Sequence, residues 1–150
     1  MTASLSRQDI QSRVPHAGKM CLIDHVEHWD DGQILCQADC SRPDHPLRSG
    51  DKLPSSVAIE YAAQAAAIHG SLLDGVNDVR PGYLVKLSKI ALHSKHIEDT
   101  TNILNISVQL ISRSDLSCLY AFEVTGGQQH LAAGRLMIAF TKQTQHESQR

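Results

Sequence analysis

Leu53-Pro54-Ser55-Ser56-Val57-Ala58-Ile59-Glu60-Tyr61-Ala62-Ala63-Gln64-Ala65-Ala66-Ala67-Ile68-His69-Gly70-Ser71-Leu72-Leu73 is the stretch on which the fold turns. Alanine-rich helix propensity, Pro54 and Ser55/Ser56 at the start and Gly70 near the end predict a helix over 57–70. Its six alanines let a sheet approach the helix axis closely, which suits a helix enclosed by strands better than one lying on a surface.

Upstream, residues 20–29 and 33–40 read as strands, and Asp30-Asp31-Gly32 between them has the turn chemistry of a hairpin. A polar stretch over 41–52, with Pro43, Pro46 and Gly50, reads as a loop. Residues 6–14 can make a short helix that Pro15 ends. Downstream of a 75–82 connection, strands are predicted over 83–92, 104–112, 117–125 and 130–140, with Gly126-Gly127 as a tight turn. The predicted order is therefore hairpin, buried helix and four-stranded antiparallel meander, an α+β layout with the helix on one face of the sheet. The tail, 141–150, is polar and expected to fray.

At 150 residues, with 41% apolar and 20% charged residues, the chain has the size and composition of one globular domain, 1–150, with no linker or repeat to divide it. A domain of this size buries roughly two thirds of its unfolded surface, so it needs neither disulfide nor metal to fold. The formal charge of −2 gives no general field for nucleic acid. The N-terminus lacks the apolar core of a signal peptide, and no run reaches the ~18 apolar residues of a membrane span, so the cytoplasm is the expected compartment. Cys21, Cys36, Cys40 and Cys118 lack Cys-x-x-Cys spacing and read as reduced packing residues.

Glu60 is the only acid of the predicted helix, and Gln64 follows one turn later on the same face. Its neighbours are alanine, isoleucine and tyrosine, which predicts partial burial. Burial favours the neutral carboxylic acid, the form a general acid needs at neutral pH, whereas the nearby helix N-terminus favours the carboxylate. The alternative is an acid that only complements the helix dipole. His45, in His45-Pro46-Leu47-Arg48, lies in the loop that delivers the chain to the helix, where a neutral imidazole can take a proton near pH 7; it can equally be an exposed loop residue. His16, in Pro15-His16-Ala17-Gly18, reaches the same region or fixes the strand entry. His25/His28 and His93/His96 are three apart on strands and face opposite ways, so they make poor metal pairs. No serine-hydrolase, zincin or phosphate-loop motif is present.

These residues resemble the β-hydroxyacyl-acyl-carrier-protein dehydratases, and within them the aryl-polyene (ApeP-like) branch. The resemblance rests on Pro15-His16 followed by Leu22-Ile23-Asp24, on Pro54 ahead of Ile59-Glu60-Tyr61-Ala62-Ala63-Gln64, and on the strand-rich C-terminal half. It implies a hotdog fold, a long central helix wrapped by an antiparallel sheet. It also implies removal of water from a 3-hydroxyacyl thioester, with histidine taking the α-proton and protonated Glu60 serving the departing hydroxyl. The base role falls on His45. The loop departs from the family's His-Phe-Pro-Gly, however, is one residue longer before Glu60, and has Ser55 where a glycine is expected after Pro54, which makes His16 a substitute. Backbone N–H groups at the start of the helix, by Ser56, are suited to the thioester oxygen, and Gln64, Tyr61 and Arg48 are further substrate-binding candidates. No metal or redox cofactor is required.

The resemblance further implies a dimer, with itself or with another hotdog subunit, whose acid and histidine come from different subunits. Its substrate would ride on an acyl carrier protein or coenzyme A, and Arg48, Arg80, Lys86 and Lys89 are possible contacts for an acidic carrier. Two other readings compete: a thioesterase with Glu60 activating water, and a non-catalytic partner subunit. One scaffold hosts all three.

Overall fold

The computed structural model describes residues 4–11, 21–41, 45–48, 50, 52–75, 82–98 and 101–140. A short helix α1 (Arg7–Gln11) precedes strands β1 (His25–Asp30) and β2 (Gln33–Asp39). Helix α2 (Val57–Asp74) follows, and then β3 (Gly82–Leu92), β4 (Ile103–Arg113), β5 (Ser117–Gly126) and β6 (Gln129–Phe140). The strands form one sheet in the order β1-β2-β4-β5-β6-β3, with every pair antiparallel.

Local chemistry accounts for the elements. The β1–β2 turn closes where an Asp30 carboxylate oxygen accepts the Gly32 amide at 2.9 Å. Gly127, at φ 59°, is the first residue of the two-residue β5–β6 turn, whose second central residue stays at negative φ. That is the pattern of a type II′ turn, and it matches the right-handed twist of the strands it joins. β2 and β5 alternate buried and half-exposed residues, as a sheet with one face on a core must.

The predicted meander is corrected at β3. This strand pairs with β6 at the far edge of the sheet, while β4 pairs with β2 and β5. The 93–102 connection is too long for a tight hairpin turn, and other contacts hold it. The Ile97 amide donates to the Leu53 carbonyl, the Ser55 amide donates to Lys95, and the Ser55 and Ser94 hydroxyls lie 3.0 Å apart. The chain thereby passes the start of α2 on its way across the sheet.

α2 runs one turn beyond the predicted 57–70 and is buried on all sides from Tyr61 to Gly70, as expected of a helix that is apolar all round. Its alanines are all buried, and it packs against β2 to β6. Gly70 permits the closest approach, because a Cβ there would stand 2.1 Å from Cζ of Phe140. Gly134 does the same for β3, where Ile90 Cα would be 3.1 Å from an added Cβ. There β3 bulges between Ser88 and Ala91, with Lys89 at φ 54°.

The two sheet edges differ. β1 is covered by Leu5, which exchanges two backbone hydrogen bonds with Val26. β3 has no strand on its outer side among the described residues, yet it exposes Tyr83, Leu84, Val85, Leu87, Ile90 and Leu92. Long apolar edges of this kind pair with another chain unless something blocks them.

Candidate active site

Glu60 lies in the first turn of α2 and is half-buried. It makes no hydrogen bond or ion pair among the described residues, in contrast to Asp74 at the other end of α2, whose carboxylate accepts from Arg113 at 2.7 Å. The Glu60 carboxyl is thus not committed to a protein partner among the described residues.

The predicted neighbour Gln64 is turned inward. It is buried, and its side-chain carbonyl accepts the Leu22 amide at 2.8 Å. A buried amide in an alanine run has to find such a partner. The Leu22-Ile23-Asp24 segment is thus fastened by Gln64, by the Asp24 amide donating to the Gln37 carbonyl at 3.1 Å, and by the Asp24 carboxylate accepting the Asp39 amide at 2.7 Å.

His45 is not an exposed loop residue, being 4% exposed. Its Nε2 lies 2.8 Å from the Tyr61 hydroxyl, and its Nδ1 accepts the Leu47 amide at 3.1 Å. Tyr61 has no exposed surface, so its hydroxyl is satisfied inside the protein, and His45 is one of its partners. Arg48 also turns inward, donating from Nη2 to the Cys40 carbonyl at 3.3 Å. Ser56 is the N-cap residue of α2 but makes no side-chain capping bond and is exposed.

The amides of Val57, Ala58 and Ile59 donate to the carbonyls of Pro54, Ser55 and Ser56. The first turn therefore spends these N–H groups on its own backbone, where an oxyanion pocket was expected. His16 and Arg80 lie outside the described residues, while Lys86 and Lys89 are exposed on β3.

Sequence reasoning missed His69. It is fully buried in α2, 2.9 Å from the Tyr120 hydroxyl through Nδ1 and 2.7 Å from the Asp30 carbonyl through Nε2. The available signal was its position one residue before Gly70 in an apolar helix, where a polar ring has to be satisfied from the sheet. All four cysteines are buried and none is in a disulfide, and burial pushes the Cys40 thiol up to about 11, far from a reactive thiolate at neutral pH. Among the described residues no three histidine, cysteine or acidic side chains converge on a metal position. An open cleft by the β5–β6 turn, lined by Glu98, Asn102, Asn105 and Gln128 among others, contains none of the candidate residues.

A six-stranded antiparallel sheet around one long, enclosed helix is the α+β hotdog fold. Within that class, the ApeP-like model, described as ApeP dehydratase, matches residues 8–149, and the chain belongs to this family. Among solved structures it is similar to the dehydratase heterocomplex ApeI:P from Xenorhabdus doucetiae, at 21% identity and a TM-score of 0.80 over 97% of both chains. It is also similar to a hypothetical thioesterase protein with coenzyme A from Streptococcus pneumoniae, at 13% identity and a TM-score of 0.59 over 79% of this chain and 85% of that one. No curated protein matches the sequence. No helix among the described residues is long and apolar enough to cross a membrane.

Proposed function

We propose that the chain is a subunit of a dehydratase that converts a 3-hydroxyacyl thioester to the 2-enoyl thioester, with Glu60 as general acid. The observation that carries this reading is the half-buried Glu60 carboxyl, unpaired among the described residues, on the enclosed helix of a chain in a dehydratase family. The protonated carboxyl gives its proton to the hydroxyl leaving C3 while a base removes a proton from C2. A positioned acid of this kind is worth roughly 10² to 10⁴ in rate.

The acyl group is carried by an acyl carrier protein or coenzyme A; exposed Lys86 and Lys89 on β3 support an acidic carrier. The apolar outer edge of β3 supports assembly with a second hotdog subunit, a copy of this chain or a different one, and the heterocomplex found for the similar Xenorhabdus doucetiae structure favours a different one.

The test is to incubate the chain, alone and with a hotdog partner, with a short 3-hydroxyacyl thioester while following enoyl absorbance and free thiol together. Enoyl without thiol is the expected result. Thiol without enoyl would establish a thioesterase, and neither signal in either assembly would leave a non-catalytic subunit.

A further inference from the structure

The His45 ring sits where the 45–48 turn meets α2. Its backbone carbonyl accepts the Arg48 amide at 3.2 Å, closing the turn. Within the turn its Nδ1 accepts the Leu47 amide, and outside it Nε2 meets the Tyr61 hydroxyl, with the two ring centroids 5.9 Å apart.

An amide N–H can only donate, so Nδ1 must present a lone pair to Leu47. A neutral imidazole has one in-plane lone pair, and the other nitrogen carries the proton. Nε2 is therefore the N–H side and donates to the Tyr61 oxygen. A base for the C2 proton needs that single lone pair aimed at substrate, and here the backbone holds it.

We infer that His45 is a positioning residue and not the proton acceptor: together with Tyr61 it clasps the 45–48 turn to α2 at the residue next to Glu60. Its link to catalysis rests on the dehydratase reading; the clasp itself does not. Contacts within one chain hold both ring nitrogens, and Tyr61 transmits that fixing to the helix turn that presents Glu60. The proton acceptor is then another group.

Two measurements test this. Long-range ¹H–¹⁵N correlation on the full-length, histidine-labelled chain reads the tautomer directly. The expected result for His45 is a protonated Nε2 and an unprotonated Nδ1, and the opposite tautomer would overturn the inference. The second measurement is the dehydration rate of His45→Asn and His45→Ala. Asparagine keeps an oxygen for the Leu47 amide but cannot act as a base, so it should hold kcat within about tenfold with an unchanged pH profile, whereas alanine should lose more; a fall of ~10² to 10⁴ in His45→Asn at unchanged melting temperature contradicts the inference. If the wild-type protein makes no enoyl product, alone or with a partner, the dehydratase reading fails, and the tautomer still decides the clasp.

Discussion

His69 and Tyr120 meet at 2.9 Å in the interior, neither with any exposed surface, and join α2 to β5. The Asp30 carbonyl can only accept, so His69 carries its proton on Nε2, 2.7 Å from that oxygen, and its Nδ1 accepts from the tyrosine hydroxyl. One ring therefore ties the helix to the end of β1 and to the middle of the sheet.

Replacing Tyr120 by phenylalanine removes the only hydroxyl described at Nδ1 and leaves a buried acceptor unsatisfied. The expected loss is about 1–3 kcal/mol of stability, read from urea denaturation. A loss no larger than that of an exposed control such as Tyr83→Phe would show that the pair contributes little.

The same ring makes stability depend on pH. Burial holds His69 below its ordinary value of 6.5, outweighing the opposing effect of the Asp30 carbonyl. With the folded-state value depressed, the unfolded chain binds more protons once the pH drops below the unfolded value. The contribution of His69 is thus fully present above about pH 6.5 and is lost as pH falls from there toward the folded-state value, by at most about 1.4 kcal/mol per pH unit. Urea melts across this range should show a steeper acid loss in the wild type than in His69→Gln, and parallel curves would remove His69 as the cause.

Gly70 is required by contact, not by backbone angle. An added Cβ would lie 2.1 Å from Phe140 Cζ and 2.9 Å from Cε1, so Gly70→Ala has to displace a buried ring. Overpacking of this kind costs about 1–3 kcal/mol, against roughly 1 kcal/mol gained in helix propensity. Gly70→Ala should lower the melting temperature, and adding Phe140→Leu should recover part of the loss. A more stable single variant would show that the ring yields freely.

Along β3, Val85 is 56% exposed and Leu87 is 40% exposed. If a second subunit pairs there, Val85→Lys should weaken assembly with it while leaving the unfolding free energy of the isolated chain within about 0.5 kcal/mol of the wild type. Light scattering of the mixed subunits reads the first effect, and undiminished assembly would place the interface elsewhere.

The later strands and α2 were legible in the sequence to within a few residues, because alternation, alanine content and turn residues act locally, whereas β1, predicted over 20–29, begins only at His25. The place of β3 was not. Antiparallel neighbours in sequence pair by default, and the crossing is held by long-range contacts such as Ile97 with Leu53 and Cys40 with Asn102. The Glu60 position was readable from its isolation among apolar residues. The inward turns of Gln64, Tyr61 and His45 were not, since each is fixed by a partner that sequence spacing does not reveal. Local polarity around His45 suggested an exposed loop, whereas hydrogen bonds such as those to Tyr61 and Leu47 permit its burial.

The most direct test of the account is the rate of enoyl-thioester formation by Glu60→Gln beside the wild type in the same assembly, with the melting temperature measured for both. The account predicts a fall in kcat of about 10² to 10⁴ with little change in stability. A variant that forms enoyl product at the wild-type rate would contradict it.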